Sequence, residues 1–464
     1  MLHRVSAGLA RPLRRWIPEP FVFALLLTAL VALAAWALTP AGPVVLAGHW
    51  YDGFWMLLEF GMQMVLILVT GFAIALSPPA ARLIDVLARR VDSPGKVYLL
   101  VLIAGGLFNL VSWGWTVLAA VLGRELARRV PGVDYAYLVA CVYLSGQPWV
   151  GGLSSTIPLL LNTEGNFLIE TGVLAGTLPV AATLGSTLNL AYVAMYFVLV
   201  PLLMWWARPR AGAVRELAAF GESPDSEGDG GIGPVLAATR SSTSPAARMN
   251  HSVWLQGAVA FAGLAVLALH FSANGADLDL NRMIFLFLML GLLIHRSPAR
   301  YAEAMKRACA NIAGIVFQYP FYAGIMGLMM FSGLGAQLAL WLADGASLTT
   351  LPLIAQFAGA AVNFAIPSAG GEWAVIGPAL TEAALQLSAG MPPEMQQAFV
   401  ARIAMATAFG ETSTNLLQPF FLLTVLPVMG AGVRVEARDV MGYLVLPFAA
   451  VYLATALLVT LVPG

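Results

Sequence analysis

Apolar runs of about 20 residues recur along this chain from end to end, and they restrict its fold more than any other feature. Wound as a helix, such a run crosses about 30 Å of hydrocarbon. Only 10% of the 464 residues are charged, against about 25% in soluble domains. The sequence therefore predicts an all-α polytopic membrane protein that sits in a lipid bilayer. We expect no nucleic-acid partner.

The apolar runs divide into nine predicted spans and two predicted hairpins. Two spans, 134–162 and 394–429, are too long for one unbroken crossing. Two further segments, 97–128 and 350–388, have apolar arms on both sides of a polar, glycine-bearing middle. Because these arms are mostly short for a full crossing, we interpret both segments as re-entrant hairpins. The nine spans are predicted at about 21–39, 54–76, 134–162, 186–207, 252–271, 280–295, 309–331, 394–429 and 440–461.

The first span follows a basic N-terminus and resembles a signal peptide. Arg4, Arg11, Arg14 and Arg15 precede the stretch FVFALLLTALVALAAWALT. That stretch is about 19 residues long, more than the 7 to 15 of a signal core, and many spans follow it. The sequence therefore predicts a first span that is retained.

Cysteine and histidine usage predicts neither a disulfide framework nor a metal site. Cys141 and Cys309 both fall inside apolar runs, and the five histidines are scattered without ligand spacing. We expect no cofactor beyond a coupling ion, either H⁺ or Na⁺.

The basic residues indicate the orientation of the chain. With the N-terminus in the cytoplasm, almost all of the 24 lysines and arginines fall on the cytoplasmic side. Only Arg282 and Arg402 do not fit. None falls in the predicted outer loops, at about 40–53, 163–185, 333–349 and 389–393. This distribution predicts a multi-pass protein with its C-terminus outside.

The chain is predicted to consist of two membrane halves, 1–207 and 251–464. Residues 208–250 between them lack apolar periodicity and have the composition of a flexible cytoplasmic linker. Each half carries a hairpin followed by a long segment with a polar break, YLSGQPWVGGLSST at 143–156 and FGETSTNLLQP at 409–419. The predicted topology gives the two hairpins opposite orientations, a pattern typical of secondary transporters built on inverted repeats.

Four stretches carry a resemblance to a known family: DGFWMLLEFGMQMVLILVTG at 52–71, GRELARRVPGVDY at 123–135, FQYPFYAGIMGLMMFSGLG at 317–335 and NFAIPSAGGEW at 363–373. They resemble the bacterial short-chain fatty acid transporters of the acetoacetate- and butyrate-uptake type, and the likeness runs end to end outside the linker. It implies an inner-membrane importer of short carboxylates, not an enzyme, similar to hairpin-bearing elevator transporters. The chain departs from the family at Ala369, where a glycine is usual, and at Glu372, where histidine is frequent.

Candidate substrate-binding residues lie at the hairpin tips and the helix breaks. Because no arginine lies at a predicted break, helix-end N–H groups and serine hydroxyls would hold the substrate carboxylate. Glycines let the backbone approach a ligand closely, and tryptophans could bound its alkyl part. Packing of helix against helix is the alternative role for the small residues. The predicted set is Asn109, Ser112, Gly114, Trp115, Gly146, Gln147, Asn363, Ser368, Gly370, Gly371, Trp373, Thr412, Ser413 and Asn415.

Glu372 and Glu411 are the candidate ion-coupling residues. An ionised carboxylate at the bilayer centre costs about 2.5 kcal/mol or more, and such residues usually face a cavity or an ion pathway. Both are predicted at helix breaks of the second half, where they would carry a proton or help to hold a cation. For Glu59, in an unbroken span, a structural role is favoured. Arg402 could compensate Glu411, attract anions or extend its charge to the membrane surface.

Two other classes of function stay open beside an importer. A membrane-embedded enzyme would need a nucleophile and base or metal ligands at the breaks, and no histidine or cysteine lies near either tip. A cation/proton antiporter is the stronger rival, because Glu372 and Glu411 alone could serve it. A transporter of a different organic anion is a further alternative.

Overall fold

The structure is a computed structural model of the chain. It describes residues 20–209, 214–221, 244–275, 277–309, 312–363, 366, 368–417, 425–426, 428–430, 433–435 and 437–462. Within these ranges the chain is helical and contains no β-strand, so the predicted all-α fold class is confirmed. Pro367, in the predicted second tip, and the N-terminal arginines lie outside the described residues.

The helices fall into two packed bodies, which we call the frame and the core. The frame joins helices from both halves of the chain that pack on one another. Its helices are Pro20–Leu38, Pro43–Gly53, Leu58–Ala75, Val253–Asn274, Leu280–His295, Pro298–Cys309 and Ala313–Phe331. Val253–Asn274 lies at its edge, because only Gln256, Ala260, Gly263 and Leu267 on one face are buried.

The core likewise joins helices from both halves. Its first-half helices are Pro94–Val111, Thr116–Arg129, Tyr135–Ser145, Thr156–Leu161 and Thr187–Ala207. Its second-half helices are Leu351–Asn363, Ala369–Leu387, Pro393–Asn415 and Ala437–Leu461. Pro78–Ala88 and Leu334–Asp344 connect frame to core, so the two halves present their elements in the same order.

In the part of the chain that the structure describes, five stretches have the length and apolarity to cross a membrane by themselves. They are Leu58–Ala75, Pro94–Val111, Thr187–Ala207, Pro245–Asn274 and Asp439–Leu461. The first arm of the predicted first hairpin, Pro94–Val111, thus has the length of a full crossing. The second arm, Thr116–Arg129, is a 14-residue helix.

The first predicted hairpin is a helix–turn–helix. Pro94–Val111 ends at Ser112, whose extended backbone (φ −154°, ψ 130°) cannot continue a helix. A single 3₁₀ turn, Trp113–Trp115, then leads into Thr116–Arg129, which packs against the first helix.

The second predicted hairpin has the same construction. Leu351–Asn363 and Ala369–Leu387 pack against each other, and the second helix begins after Ser368. The Ser368 hydroxyl accepts a hydrogen bond from the Gly371 N–H, at 3.5 Å, in the manner of an N-cap.

The first predicted break is present where the sequence places it. Tyr135–Ser145 ends before a 3₁₀ turn, Gln147–Gly151, and the chain becomes α-helical again at Thr156–Leu161. Gly152 is required here, because a Cβ on it would lie 2.2 Å from the Leu110 carbonyl oxygen. Leu153 donates its N–H to that same carbonyl at 2.7 Å, which satisfies an open group at the end of the first hairpin helix.

The second break begins later than predicted. The helix Pro393–Asn415 continues through Gly410 and ends only at Asn415, so Glu411 lies in its last turns rather than at a break. Gly410 serves packing, since a Cβ on it would lie 1.9 Å from the Gln356 carbonyl oxygen. The hydroxyls of Thr407 and Ser413 bond to the carbonyl four residues earlier, which is compatible with an unbroken helix. Residues 418 and 419 of the predicted break lie outside the described ranges.

Part of the predicted linker is packed against the core. In Val214–Gly221, Leu217 and Phe220 are buried. The Arg215 carbonyl accepts the Tyr135 N–H at 2.9 Å, and the Arg215 N–H donates to the Asp134 carboxylate at 3.0 Å. The Phe220 carbonyl accepts the Arg434 N–H at 2.9 Å. The segment therefore contacts both halves of the chain.

Candidate functional site

The two broken segments meet at the centre of the core. The Thr412 hydroxyl donates to the backbone carbonyl and to the side-chain oxygen of Gln147, each at 3.3 Å. Tyr143, just before the first break, donates its hydroxyl to the Asn415 carbonyl at the end of the second helix. All four residues are buried. The structure thus brings together predicted residues that lie more than 250 positions apart.

Asn363 fastens the second hairpin to this centre. Its amide nitrogen lies 2.9 Å from the Glu411 carbonyl, 2.8 Å from the Thr414 hydroxyl and 2.7 Å from the Asn415 amide oxygen. Asn363 is the last residue of its helix and is fully buried. It therefore couples the position of the hairpin tip to the end of helix Pro393–Asn415.

The carboxyl groups of Glu372 and Glu411 are both fully buried. Glu411 Oε1 accepts a hydrogen bond from the Asn415 amide at 3.1 Å. Glu411 Oε2 and both oxygens of Glu372 have no hydrogen-bond partner among the residues that the structure describes. An ionised carboxylate in such surroundings carries a large desolvation cost unless it is paired, so these two groups stand out from the rest of the core.

The first hairpin tip is held by its own hydrogen bonds. Asn109 accepts the Thr116 hydroxyl at 2.6 Å, and Trp115 donates its indole N–H to the Gly71 carbonyl at 3.0 Å. Gly114 lies against the frame, since a Cβ there would lie 2.9 Å from the backbone nitrogen of Phe72. The Ser112 hydroxyl is buried and has no partner within the described ranges, which leaves it as the free donor at this tip.

Gly146 and Ser413 have local roles in this conformation. Gly146 lies near Thr116 of the first tip, whose hydroxyl would be 3.8 Å from a Cβ on that glycine. The Ser413 hydroxyl donates to the Phe409 carbonyl of its own helix at 2.6 Å, so it does not face a ligand here.

The second hairpin tip is covered by aromatic rings of the frame. A Cβ on Gly370 would lie 2.5 Å from the Tyr319 hydroxyl and 2.8 Å from the Phe60 ring, and one on Gly371 would lie 2.6 Å from the Tyr322 ring. Tyr319 also shares a 3.0 Å hydrogen bond with the Ser368 hydroxyl. The two glycines thus admit aromatic side chains close to the start of the helix.

Trp373 and Glu59 lie apart from these contacts. The Trp373 ring is fully buried against its own helix, 2.5 Å from where a Cβ on Gly377 would lie, and its indole N–H has no partner in the described part of the chain. Glu59 is exposed in the first turn of Leu58–Ala75, and its structural role stays a prediction.

Tyrosines are the residues that the sequence analysis did not assign to the site. Tyr192 donates its hydroxyl to the Gln147 carbonyl at 3.0 Å and stacks on Phe409 with ring centres 4.2 Å apart. Tyr143 and Tyr319 reach the same region. A buried tyrosine needs a hydrogen-bond partner for its hydroxyl. The presence of tyrosines within apolar runs was therefore the only sequence signal that could have indicated these three residues.

One frame helix contacts both hairpin tips. Gly71 and Phe72 of Leu58–Ala75 meet the first tip, whereas Phe60 of the same helix meets the second. At 1.5 Å per residue, the 11 positions from Phe60 to Gly71 span about 16 Å. The two tips therefore reach this helix at different depths.

A model of the short chain fatty acid transporter family matches residues 1–462. The chain belongs to that family. Two relatives that carry the family's name are similar to it along their length. One, from Escherichia coli (strain K12), is 36% identical over 446 residues, and one from Haemophilus influenzae (strain ATCC 51907 / DSM 11121 / KW20 / Rd) is 34% identical over 448. In both cases 96% of each chain is covered.

The fold of this short-chain fatty acid transporter family member is shared with solved transporters. The Alcanivorax borkumensis YdaH transporter is 20% identical with a TM-score of 0.56, covering 96% of this chain and 98% of that one. Neisseria gonorrhoeae MtrF, described as one of a class of antimetabolite efflux pumps, is 15% identical with a TM-score of 0.56, covering 100% and 98%. The family resemblance inferred from the four motifs is thus confirmed, and the chain is a membrane transporter by family.

Proposed function

We propose that the chain is a secondary active transporter that imports short-chain monocarboxylates such as acetoacetate or butyrate across the inner membrane. The observation that carries this proposal is the meeting of the first break, the last turns of helix Pro393–Asn415 and the second hairpin at one buried polar centre, in a chain of this family. A small anion needs few donors, and Gln147, Thr412 and Asn363 offer amide and hydroxyl groups there. In transporters of this kind, substrate and ion sites lie at discontinuous helices.

In the proposed mechanism the core moves past the frame, as in elevator-type transporters. The division into two bodies supports it, as does the contact of both tips with Leu58–Ala75 at different depths. In this proposal the tips are re-entrant and of opposite orientation, so each closes the site from one side of the membrane. Ser112, Ser368 and the N-terminus of Ala369–Leu387 would meet the substrate carboxylate once Tyr319 and Phe60 withdraw from the second tip.

Glu372 and Glu411 are the proposed coupling residues, with H⁺ or Na⁺ as the ion. They are two buried carboxyl groups beside the polar centre, and the structure records no ion pair for either of them within its described ranges. Helix ends and hydroxyl groups can donate hydrogen bonds to the substrate. The two carboxyl groups then remain available to bind the coupling ion.

A second candidate is a transporter of a different organic anion or a cation/proton antiporter. MtrF, which shares the fold and is described as one of a class of antimetabolite efflux pumps, makes a substrate other than a short fatty acid compatible with this fold. The pair of buried carboxyl groups favours the antiporter, because it could serve cation exchange without an organic substrate.

Uptake into proteoliposomes tests the proposal directly. The purified chain is reconstituted, and proton and sodium gradients are imposed separately while labelled acetoacetate and butyrate are supplied outside. We expect accumulation above that of protein-free liposomes, a control needed because neutral short acids cross bilayers unaided. If no short carboxylate accumulates while sodium or proton exchange is still present, the result would contradict the importer and favour the antiporter.

A further inference from the structure

Glu372 and Glu411 face the same contact between two helices. A Cβ on Gly359 would lie 3.1 Å from Glu372 Oε1 and 2.4 Å from the Thr407 carbonyl oxygen, so both oxygens border that glycine. Asn363, four residues after Gly359, donates to the Glu411 backbone carbonyl and to the Asn415 amide oxygen. The Asn415 amide in turn donates to Glu411 Oε1. Both carboxyl groups thus border the seam between Leu351–Asn363 and Pro393–Asn415.

The groups that surround this pair carry no positive charge. Tyr143, Tyr192 and Tyr319 are the other titratable residues that interact with Glu411, and each hydroxyl already bonds elsewhere, to Asn415, Gln147 and Ser368. No lysine, arginine or histidine in the described ranges acts on either carboxyl group.

The helices packed behind the pair add no cation either. Arg402 precedes Glu411 on the same helix by nine residues, about 13 Å, and bonds to the Val459 and Thr460 carbonyls. From Ala437–Leu461, the side chain that reaches this seam is Thr455, through Gln356.

Two ionised carboxylates cannot both persist in such a place. Their repulsion grows as the effective dielectric constant falls, and neighbouring carboxyl groups in proteins titrate as one coupled pair with a shared proton. A metal ion would be an alternative source of positive charge. Sodium held by carboxyl, amide and backbone oxygens would be such a source, and the labelling experiment below distinguishes it from a proton.

We propose that Glu372 and Glu411 titrate as one coupled pair and that a proton is the ion which this carrier couples to its substrate. This rests on the proposed function, and it decides between the two ions left open there. With one proton held, the pair carries a single negative charge. Entry of a substrate carboxylate at the neighbouring polar centre disfavours that remaining charge, so the pair takes up a second proton from the same aqueous side. Anion and proton then cross together, without net charge, and the second proton leaves with the substrate.

Gly359 is the positioning residue of this pair. Any side chain there would fill the space that Glu372 Oε1 occupies against Thr407. The glycine thus lets a carboxyl group lie directly between two helices.

Labelling by dicyclohexylcarbodiimide, an apolar reagent that reacts with protonated carboxyl groups, tests the pair without any transport. The purified chain is treated across a pH series, and modified peptides are quantified by mass spectrometry. We expect labelling of the pair in the wild type. In Glu411→Gln the labelling midpoint of Glu372 should fall by about one pH unit or more, a tenfold change in proton affinity, because the repelling charge is gone. Glu372→Gln should do the same for Glu411, which keeps the test readable if one variant does not fold.

Glu382→Gln is the matched control, because Glu382 lies on the same helix as Glu372 and is partly exposed. It should leave both midpoints unchanged. Exchange of sodium for choline should also have no effect. Midpoints that ignore the partner substitution, or protection from labelling by sodium, would overturn the proton pair. If the chain carries no short carboxylate, the uptake assay reports that separately, and the labelling result stands by itself.

Discussion

The guanidinium of Arg402 lies at the C-terminal end of the last helix. Its Nε and Nη2 donate to the Val459 carbonyl at 3.0 and 2.6 Å, and Nη2 also donates to the Thr460 carbonyl at 3.0 Å. Helix ends leave their last carbonyls open and carry partial negative charge. Arg402 thus has a structural partner in this conformation. Its position is explained by hydrogen bonds to a helix end rather than by contact with a substrate.

Arg402→Met should lower stability while leaving the apparent affinity for substrate unchanged. The variant keeps the aliphatic stem but loses the charged hydrogen bonds. Their loss should lower the free energy of unfolding by about 1.5 to 3 kcal/mol. Thermal unfolding in detergent and the concentration dependence of uptake measure the two quantities. A stable variant with weakened substrate affinity would instead return Arg402 to the substrate path.

Glu372→Gln should separate accumulation from exchange. The variant keeps the shape of the side chain and fixes it in a neutral form, so substrate binding and the movement of the core survive while ion coupling is lost. We expect gradient-driven accumulation to disappear and exchange of internal for external substrate to persist. Accumulation equal to that of the wild type would show that Glu372 is structural, and a fall of exchange together with sodium dependence would indicate a cation site.

At the scale of elements, glycine contacts decide how closely the hairpins approach the broken segments. Gly359 and Gly410 bring Leu351–Asn363 and Pro393–Asn415 into backbone contact, with Thr407 and Gln356 carbonyls against them. In the first half, Gly105 lies against the side chain of Ser145. Gly105 and Gly359 each stand four residues before an asparagine near the tip, Asn109 or Asn363. The two hairpins therefore share a glycine–asparagine spacing and a close contact at the glycine.

Gly410→Ala should destabilise the core by about 1 to 3 kcal/mol, the usual range for overpacking, because its methyl group would lie 1.9 Å from a backbone oxygen. Gly257→Ala is the matched control, since nothing lies within 4 Å of a Cβ there. It should be neutral or slightly stabilising, as alanine is the better helix former. Melting temperatures of both variants in one detergent give the comparison. Equal melting temperatures would contradict the close contact.

The sequence predicted the elements better than their contacts. Apolar runs and proline or glycine breaks located the single helices and the first break, because those signals are local. Gly410 was interpreted as part of a break, yet its role depends on a helix that is 50 residues away in the chain. The contact of the frame residue Tyr319 with the second tip could not be predicted. In the sequence, an aromatic residue in an apolar run cannot be distinguished from one that faces lipid. Long-range packing decided both cases.

The packed part of the linker separates a stretch that should tolerate deletion from one that should not. Deleting residues within 223–243 should leave uptake intact, because that stretch has the composition of a flexible connection. Phe220→Ala should destabilise the core by about 3 kcal/mol, since Phe220 is buried and its carbonyl bonds to Arg434. Uptake and thermal unfolding of the two variants are compared. Loss of uptake on deletion, with normal membrane insertion, would show that the loop itself is functional.

For the molecule as a whole, nine spans and two hairpins of opposite orientation stay a prediction, with the C-terminus outside. Single cysteines at Gly464 and within 223–243 test it, in a chain where the exposed Cys309 is replaced by serine; Cys141 is buried. An impermeant thiol reagent should label the two positions from opposite sides of the membrane. Labelling of both from one side would refute the span count.

The contact of one frame helix with both tips bears on what separates a carrier from a pore. A pore that opens at both ends together lets solutes run down their gradients and dissipates the energy that the cell has stored. Leu58–Ala75 is a continuous 18-residue helix, so its Gly71 end and its Phe60 end keep a fixed separation. A shift of the core that draws one tip away along this helix cannot leave the other tip where it was. Under the proposed movement of the core, the stiffness of one helix would prevent leakage, without any signal passing between the two tips.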